Sequence, residues 1–342
     1  MKIRGKTSLG LILCILFISG CDNEKHIKPK CPGFDWVPST PYNDPIWHPS
    51  GLIIGFNHTP IKEIKYSYGY DCPRQATYIY KNDSAGFWLV NADGTNMRRV
   101  LPYYLETPDW SPDGKWIAFS NGAQISKMPF DGENFDTTAI EQLTFEGRNF
   151  FPAWSPDGTL IAYDNTNCGS ATTPIPPNSC GVLIMNADGS DRTFIGKGRV
   201  PYWNNNNDFL YTYGTKYNLI QSTSEVFFDS QENQVSFQPR VRFNPEATLI
   251  AFIGGGAGVK PLLSKSNESD FLKLLCITPN GSNLKLISQN NIINFSWAPN
   301  GRIVYVDFDN IRIDNEKGAL WIMDADGKNQ QQLTRNDFIT SY

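Results

Sequence analysis

The chain has 342 residues, of which 40% are hydrophobic, 13% aromatic and 19% charged, with 28 Gly and 23 Pro. That composition excludes a disordered, collagenous or coiled-coil chain and supplies apolar mass for a large core with frequent chain reversals. Lys and Arg total 30 against 34 Asp and Glu, and no basic run interrupts the body of the chain, so the electrostatic footprint of a nucleic-acid binder is missing.

The chain opens with MKIRGKTSLGLILCILFISGC. Three basic residues, Lys2, Arg4 and Lys6, precede an apolar run from Leu9 to Ile18, then small Ser19 and Gly20 before Cys21. This is the layout of a secretory signal over residues 1–20, and it is too short to span a bilayer. Phe17-Ile18-Ser19-Gly20-Cys21 resembles the bacterial lipobox, in which the Cys is acylated and becomes the new N-terminus. The resemblance implies lipidation at Cys21 and attachment to a membrane through that lipid. Loss of the signal leaves 27 basic against 34 acidic residues, net −7, in a protein held at the cell envelope and facing the periplasm or the cell exterior. Residues 21–42, polar at first and then Pro-rich, read as a tether and N-terminal extension.

Repetition governs residues 43–342. WSPDG occurs at Trp110–Gly114 and again at Trp154–Gly158, followed by KWIAFSN and TLIAYDN. Weaker copies begin around Trp47, Trp203, Phe243 and Trp297. A second motif, an apolar segment ending in Asp-Gly or Asn-Gly, closes at Gly94, Gly132, Gly189, Gly281 and Gly327. Six copies of the first and five of the second define six units, the fourth lacking its second turn, so that Tyr217 to Phe228 must supply those strands unaided. Pro and Asp-Gly favour tight turns, and Ile-Ala-Phe and Ile-Ala-Tyr are short runs of strand formers, so each unit reads as a four-stranded antiparallel meander. A sheet apolar on both faces must stack on its neighbours. The expected fold is all-β, a six-bladed β-propeller of four-stranded blades in one domain. The ending LTRNDFITSY matches LTFEGRNFFPAW up to the start of a first strand, so the last residues are expected to run beside the first unit and latch the ring.

LTFEGRNFFPAWSPDGTLIAYDN with its following LIMNADG is similar to the repeat of the TolB-like propellers, and the likeness covers about four-fifths of the chain. It is specific for fold and much less so for function, and it transfers no contact residues.

Seven cysteines include Cys14 in the signal and Cys21 at its end. Cys168 and Cys180 bracket GSATTPIPPNS, a Pro-rich stretch that cannot pack a core, and a disulfide across its base would stabilise by about 3 kcal/mol. Cys31 and Cys72 form a plausible second pair, with connectivity left open by sequence. Cys276, in Leu-Leu-Cys-Ile, reads as buried and free.

The sequence offers no catalytic set. His26 lies in the tether, while His48 and His58 both belong to the first unit, too few to build a metal cluster from several blades. His48 stands where Ser stands in WSPDG and reads as a turn residue. No GxSxG is present. Gly254-Gly255-Gly256 lacks the residues of a phosphate loop, and Asp324 to Asn329 lacks two of the ligand positions of a calcium loop. No cofactor is expected and no catalytic residue is assigned. Aromatics outside the repeat positions, Tyr66, Tyr68, Tyr70, Tyr103, Tyr104, Phe227 and Phe228, form a candidate contact patch. The leading functional expectation is a monomeric, non-enzymatic platform that binds an envelope protein or envelope polymer. The alternatives are a carbohydrate-active lyase or hydrolase using carboxylates at the axis, and a small-ligand sensor.

Overall fold

The turns behave as their residues dictate. In the computed structural model, which describes residues 40–67, 75–167, 180–263, 272–308 and 318–341, the Ser111 hydroxyl accepts from the Trp116 N–H at 2.9 Å and donates to the Asp113 carboxylate at 2.7 Å. Gly114 closes that turn at φ 71°, in the left-handed region that a Cβ disfavours. The second copy repeats the device: Leu160 donates to Ser155 at 2.9 Å, Ser155 to Asp157 at 2.7 Å, and Gly158 sits at φ 75°. Asp324 to Gly327 is likewise a β-turn, closed by a Gly327 N–H to Asp324 carbonyl bond of 2.9 Å. In the fourth unit, where the second signature is missing, the Asn218 side chain accepts from the Ile220 and Gln221 N–H groups and reverses the chain instead.

Between these turns lie antiparallel meanders. The first sheet orders Tyr42–Trp47, Ile53–His58, Gly86–Asn91 and Arg98–Leu101. The second runs from Glu106–Trp110 to Glu141–Gln142, the third from Asn149–Trp154 to Thr193–Gly196, and the fourth from Tyr202–Trp203 to Thr223–Val226. A seven-stranded sheet follows, from Ser236–Phe243 to Gln331–Gln332. Its middle strand, Lys285–Trp297, has 13 residues and serves both as the last strand of a fifth meander and the first of a sixth.

The second strands are buried along most of their length, and apolar clusters fill each gap between successive meanders. Phe87 and Leu89 meet Ile117 and Phe119, for example, and Tyr211 and Phe228 meet Ile250 and Phe252. The final cluster joins Val304, Leu320 and Ile322 of the sixth meander to Tyr42, Ile54 and Phe56 of the first, so the stack returns on itself. The chain end adds a second tie. Ile339–Ser341 pairs in parallel with Ile61–Ser67, which pairs in turn with Gln75–Tyr80. The end thus runs beside the first unit, as expected, on a hairpin inserted in that unit and outside its four-stranded sheet.

Because every meander runs up and down in the same sense, both kinds of short turn fall on one face of the ring. Second strands end and third strands begin at the other, where the long connections 59–85, 166–180, 256–272 and 308–319 leave and rejoin the sheets. On the turn face the reversals touch their neighbours. A Cβ on Gly158 would lie 3.5 Å from Pro112, and one on Gly51 would lie 3.8 Å from Pro299. His48 bridges there too, its Nε2 3.1 Å from the Gly114 carbonyl and its ring edge-on to Trp110.

Candidate functional site

The first strand of each meander lines the ring axis, and these strands carry an irregularity at the same place. Asp44, Thr107, Phe151 and Val200 have φ between 50° and 55°, and each directly precedes a proline. Left-handed backbone is uncommon for residues with a Cβ, and proline further restricts the residue before it. In the first three sheets the distortion coincides with a break in strand register, a bulge that turns the following residues toward the axis.

Edge strands leave N–H groups that need partners, and side chains of neighbouring sheets supply them. Asp109 accepts from the Trp154 N–H at 2.7 Å, and Ser296 accepts from the Trp47 N–H at 3.2 Å. Asp109 also lies 3.7 Å from Arg242, an ion pair that reaches from the second sheet to the fifth across the axis. Together with Trp47, Trp110 and Trp297 these two residues line an axial cavity of about 200 Å³ near the turn face.

Ends of second strands make a matching set of bonds at the opposite face. Asn57 accepts from the Leu105 N–H at 3.0 Å and donates to its carbonyl at 2.7 Å, fixing the start of the next inner strand. Asp164, fully buried, does the same for the fourth sheet by accepting from Val200 N–H at 3.1 Å and Arg199 Nε at 2.6 Å. Burial raises the Asp164 carboxyl above its ordinary range, opposed by the Arg199 charge and the Val200 N–H.

Above Asn57, on the insertion-bearing face, a cavity of about 490 Å³ opens between the first and second sheets. Asp44, Glu106, Asn43 and Tyr104 border it. Asn57 donates to the Asp44 carboxylate at 3.1 Å, and the Thr59 and Tyr104 hydroxyls are hydrogen-bonded to each other. Burial raises the Glu106 carboxyl, and the neighbouring Asp44 charge raises it further.

The candidate contact patch divides. Tyr103 and Tyr104 are exposed, 39% and 51%, on this same face. Tyr66 is half-buried against the Ile61 and Ile64 cluster of the inserted hairpin. Phe227 and Phe228 do not belong to a surface: they are 9% and 4% exposed, packed between the fourth and fifth sheets, because the connection that follows Thr223–Val226 turns inward. Tyr68 and Tyr70 lie outside the described residues, as do Cys21, Cys31, Cys72 and Cys168. Cys180 is disulfide-bonded to a partner outside the described residues, and Cys276 is buried and free. His48 is a turn residue, as its place in the motif predicts. Sequence reasoning missed Asp44, Asn57, Glu106 and the Asp109–Arg242 pair. The signal for the first was the residue before each Pro-x-Trp; the cross-axis pair had none.

Solved structures share this arrangement. TolB from Agrobacterium tumefaciens superposes with a TM-score of 0.52 at 17% identity, over 70% of this chain and 84% of that one. TolB from Acinetobacter baumannii gives 0.54 at 17% identity, over 75% of this chain and 60% of that one. The chain folds as a TolB-like β-propeller. At this identity the likeness concerns the fold alone. Among curated proteins, a prolyl endopeptidase of Elizabethkingia miricola is 30% identical over 139 residues, 39% of this chain. The matched part of the TolB-like propeller spans only 19% of that enzyme's length. No protein-family model matches the chain.

Proposed function

We propose that this chain is a lipid-anchored, extracytoplasmic propeller of six blades that acts, as a monomer and without catalysis, by docking an envelope protein on its insertion-bearing face. The observation that carries the reading is the one-sided placement of the long connections. Four of them leave and rejoin the sheets at one face, which also carries Tyr103 and Tyr104, while the short turns lie at the other. Variable loops on a rigid scaffold are where binding residues concentrate. The signal and lipobox-like sequence support an envelope setting, and the TolB fold of the neighbours agrees with it.

A photo-crosslinking residue placed at Tyr103 should capture a discrete protein in living cells, whereas one at Leu52, 69% exposed on the turn face, should not. Capture from Leu52 alone, or from neither position while a control protein is captured, would sink the proposal.

A further inference from the structure

We propose that the cavity between the first and second sheets is a binding site for a neutral saccharide, entered from the insertion-bearing face. This goes beyond protein docking, since the cavity could fill whether or not a protein covers the face. Its size, about 490 Å³, falls in the range of pockets that take small ligands. Its floor is preset: Asn57, 6% exposed, is held by both polar groups of Leu105 and in turn orients the Asp44 carboxylate. The opening is clear at Gly122, where a Cβ would meet no heavy atom within 4 Å.

The lining chooses the ligand. Carboxylates of Asp44 and Glu106 accept hydrogen bonds, while the Asn121 amide both donates and accepts. A sugar hydroxyl also does both, so adjacent hydroxyls can satisfy carboxylate and amide together. The Tyr104 ring, tied at its hydroxyl to Thr59 and half exposed, offers a flat wall to the C–H face of a sugar ring. An apolar ligand would cover these polar groups without giving them partners. An anionic ligand would meet the Glu106 carboxylate, and the described residues of the lining include no Lys, Arg or His.

The test is calorimetry and mass spectrometry on the purified chain with maltotriose, N,N′,N″-triacetylchitotriose, trigalacturonate and trilysine. A neutral trisaccharide should bind and be recovered intact. Glu106→Gln and Asn121→Ala, both at exposed positions, should each weaken it by about tenfold with an unchanged melting curve. Any of four results would overturn the proposal: no neutral trisaccharide binding at about 10 mM, a Kd beyond the weakest useful range; binding of trigalacturonate or trilysine alone; binding untouched in the double variant; or a shortened trisaccharide, which would make the cavity an active site. Protein capture at Tyr103 is read separately, so failure here leaves the docking role standing.

Discussion

His58 shows what burial does to one titratable side chain. It is 5% exposed, stacked on Tyr42 at 4.0 Å, with Nδ1 donating to the Pro41 carbonyl at 2.6 Å. Burial lowers its pKa from 6.5 to about 4, outweighing the carbonyl that favours the charged form. The unfolded chain therefore takes up a proton near pH 6.5 that the folded chain refuses until about pH 4, so stability falls as pH drops through this window. The loss should approach 3 kcal/mol by pH 4, and guanidinium titrations of His58→Gln should show a shallower pH dependence than the parent by that amount. Asp109 gives a second test, because it accepts from the Trp154 N–H and also faces the Arg242 charge. Asp109→Asn keeps an acceptor for the Trp154 N–H and loses the part-exposed ion pair with Arg242, a change of about 0–1 kcal/mol. Asp109→Ala strands the N–H and should cost about 1–3 kcal/mol in denaturant unfolding; equal losses in the two variants would contradict this division of roles.

At the scale of elements, legibility follows the range of the interaction. Turn chemistry is local, so Ser111, Asp113 and Gly114 could be assigned their jobs from five consecutive letters. The meanders followed, including the fourth, whose outer strands Thr215–Asn218 and Thr223–Val226 carry no signature and were placed by elimination. The burial of Phe227 and Phe228 was not legible, because whether a connecting aromatic faces water or a neighbouring sheet depends on where that sheet lies. Nor was the cavity: Asp44 and Glu106 come from different sheets, and only the stacking angle of those sheets brings their carboxylates together. The pairing of Ile339–Ser341 with the hairpin in the first unit was half legible, since LTRNDFITSY matches LTFEGRNFFPAW up to the start of a first strand and so pointed to the first unit. Deleting residues 336–342 removes that strand, the Ser341–Glu63 bond and the buried Asn336, while the apolar cluster between sixth and first meanders stays. The truncated chain should fold and melt about 5 °C lower, on the scale of a 2–3 kcal/mol loss in a domain of this size. A melting curve identical to the parent would show that the strand contributes nothing to closure.

For the whole molecule, the stack returns on itself through an apolar interface, and the last described strand, Ile339–Ser341, is fastened to the first unit. If Cys21 carries lipid, Cys21→Ala should abolish incorporation of labelled fatty acid and release the protein from membranes; label persisting in that variant would remove the anchor. The first strand begins at the insertion-bearing face, where Thr40 and Pro41 border the cavity. If Cys21 is acylated as proposed, the 18 residues between Cys21 and Thr40 limit the distance from that face to the anchor to at most about 65 Å, the reach of a fully extended chain. Held on an anchor of that reach, the protein would turn this face toward its bilayer, and anything it grips would be drawn into a gap a few nanometres deep.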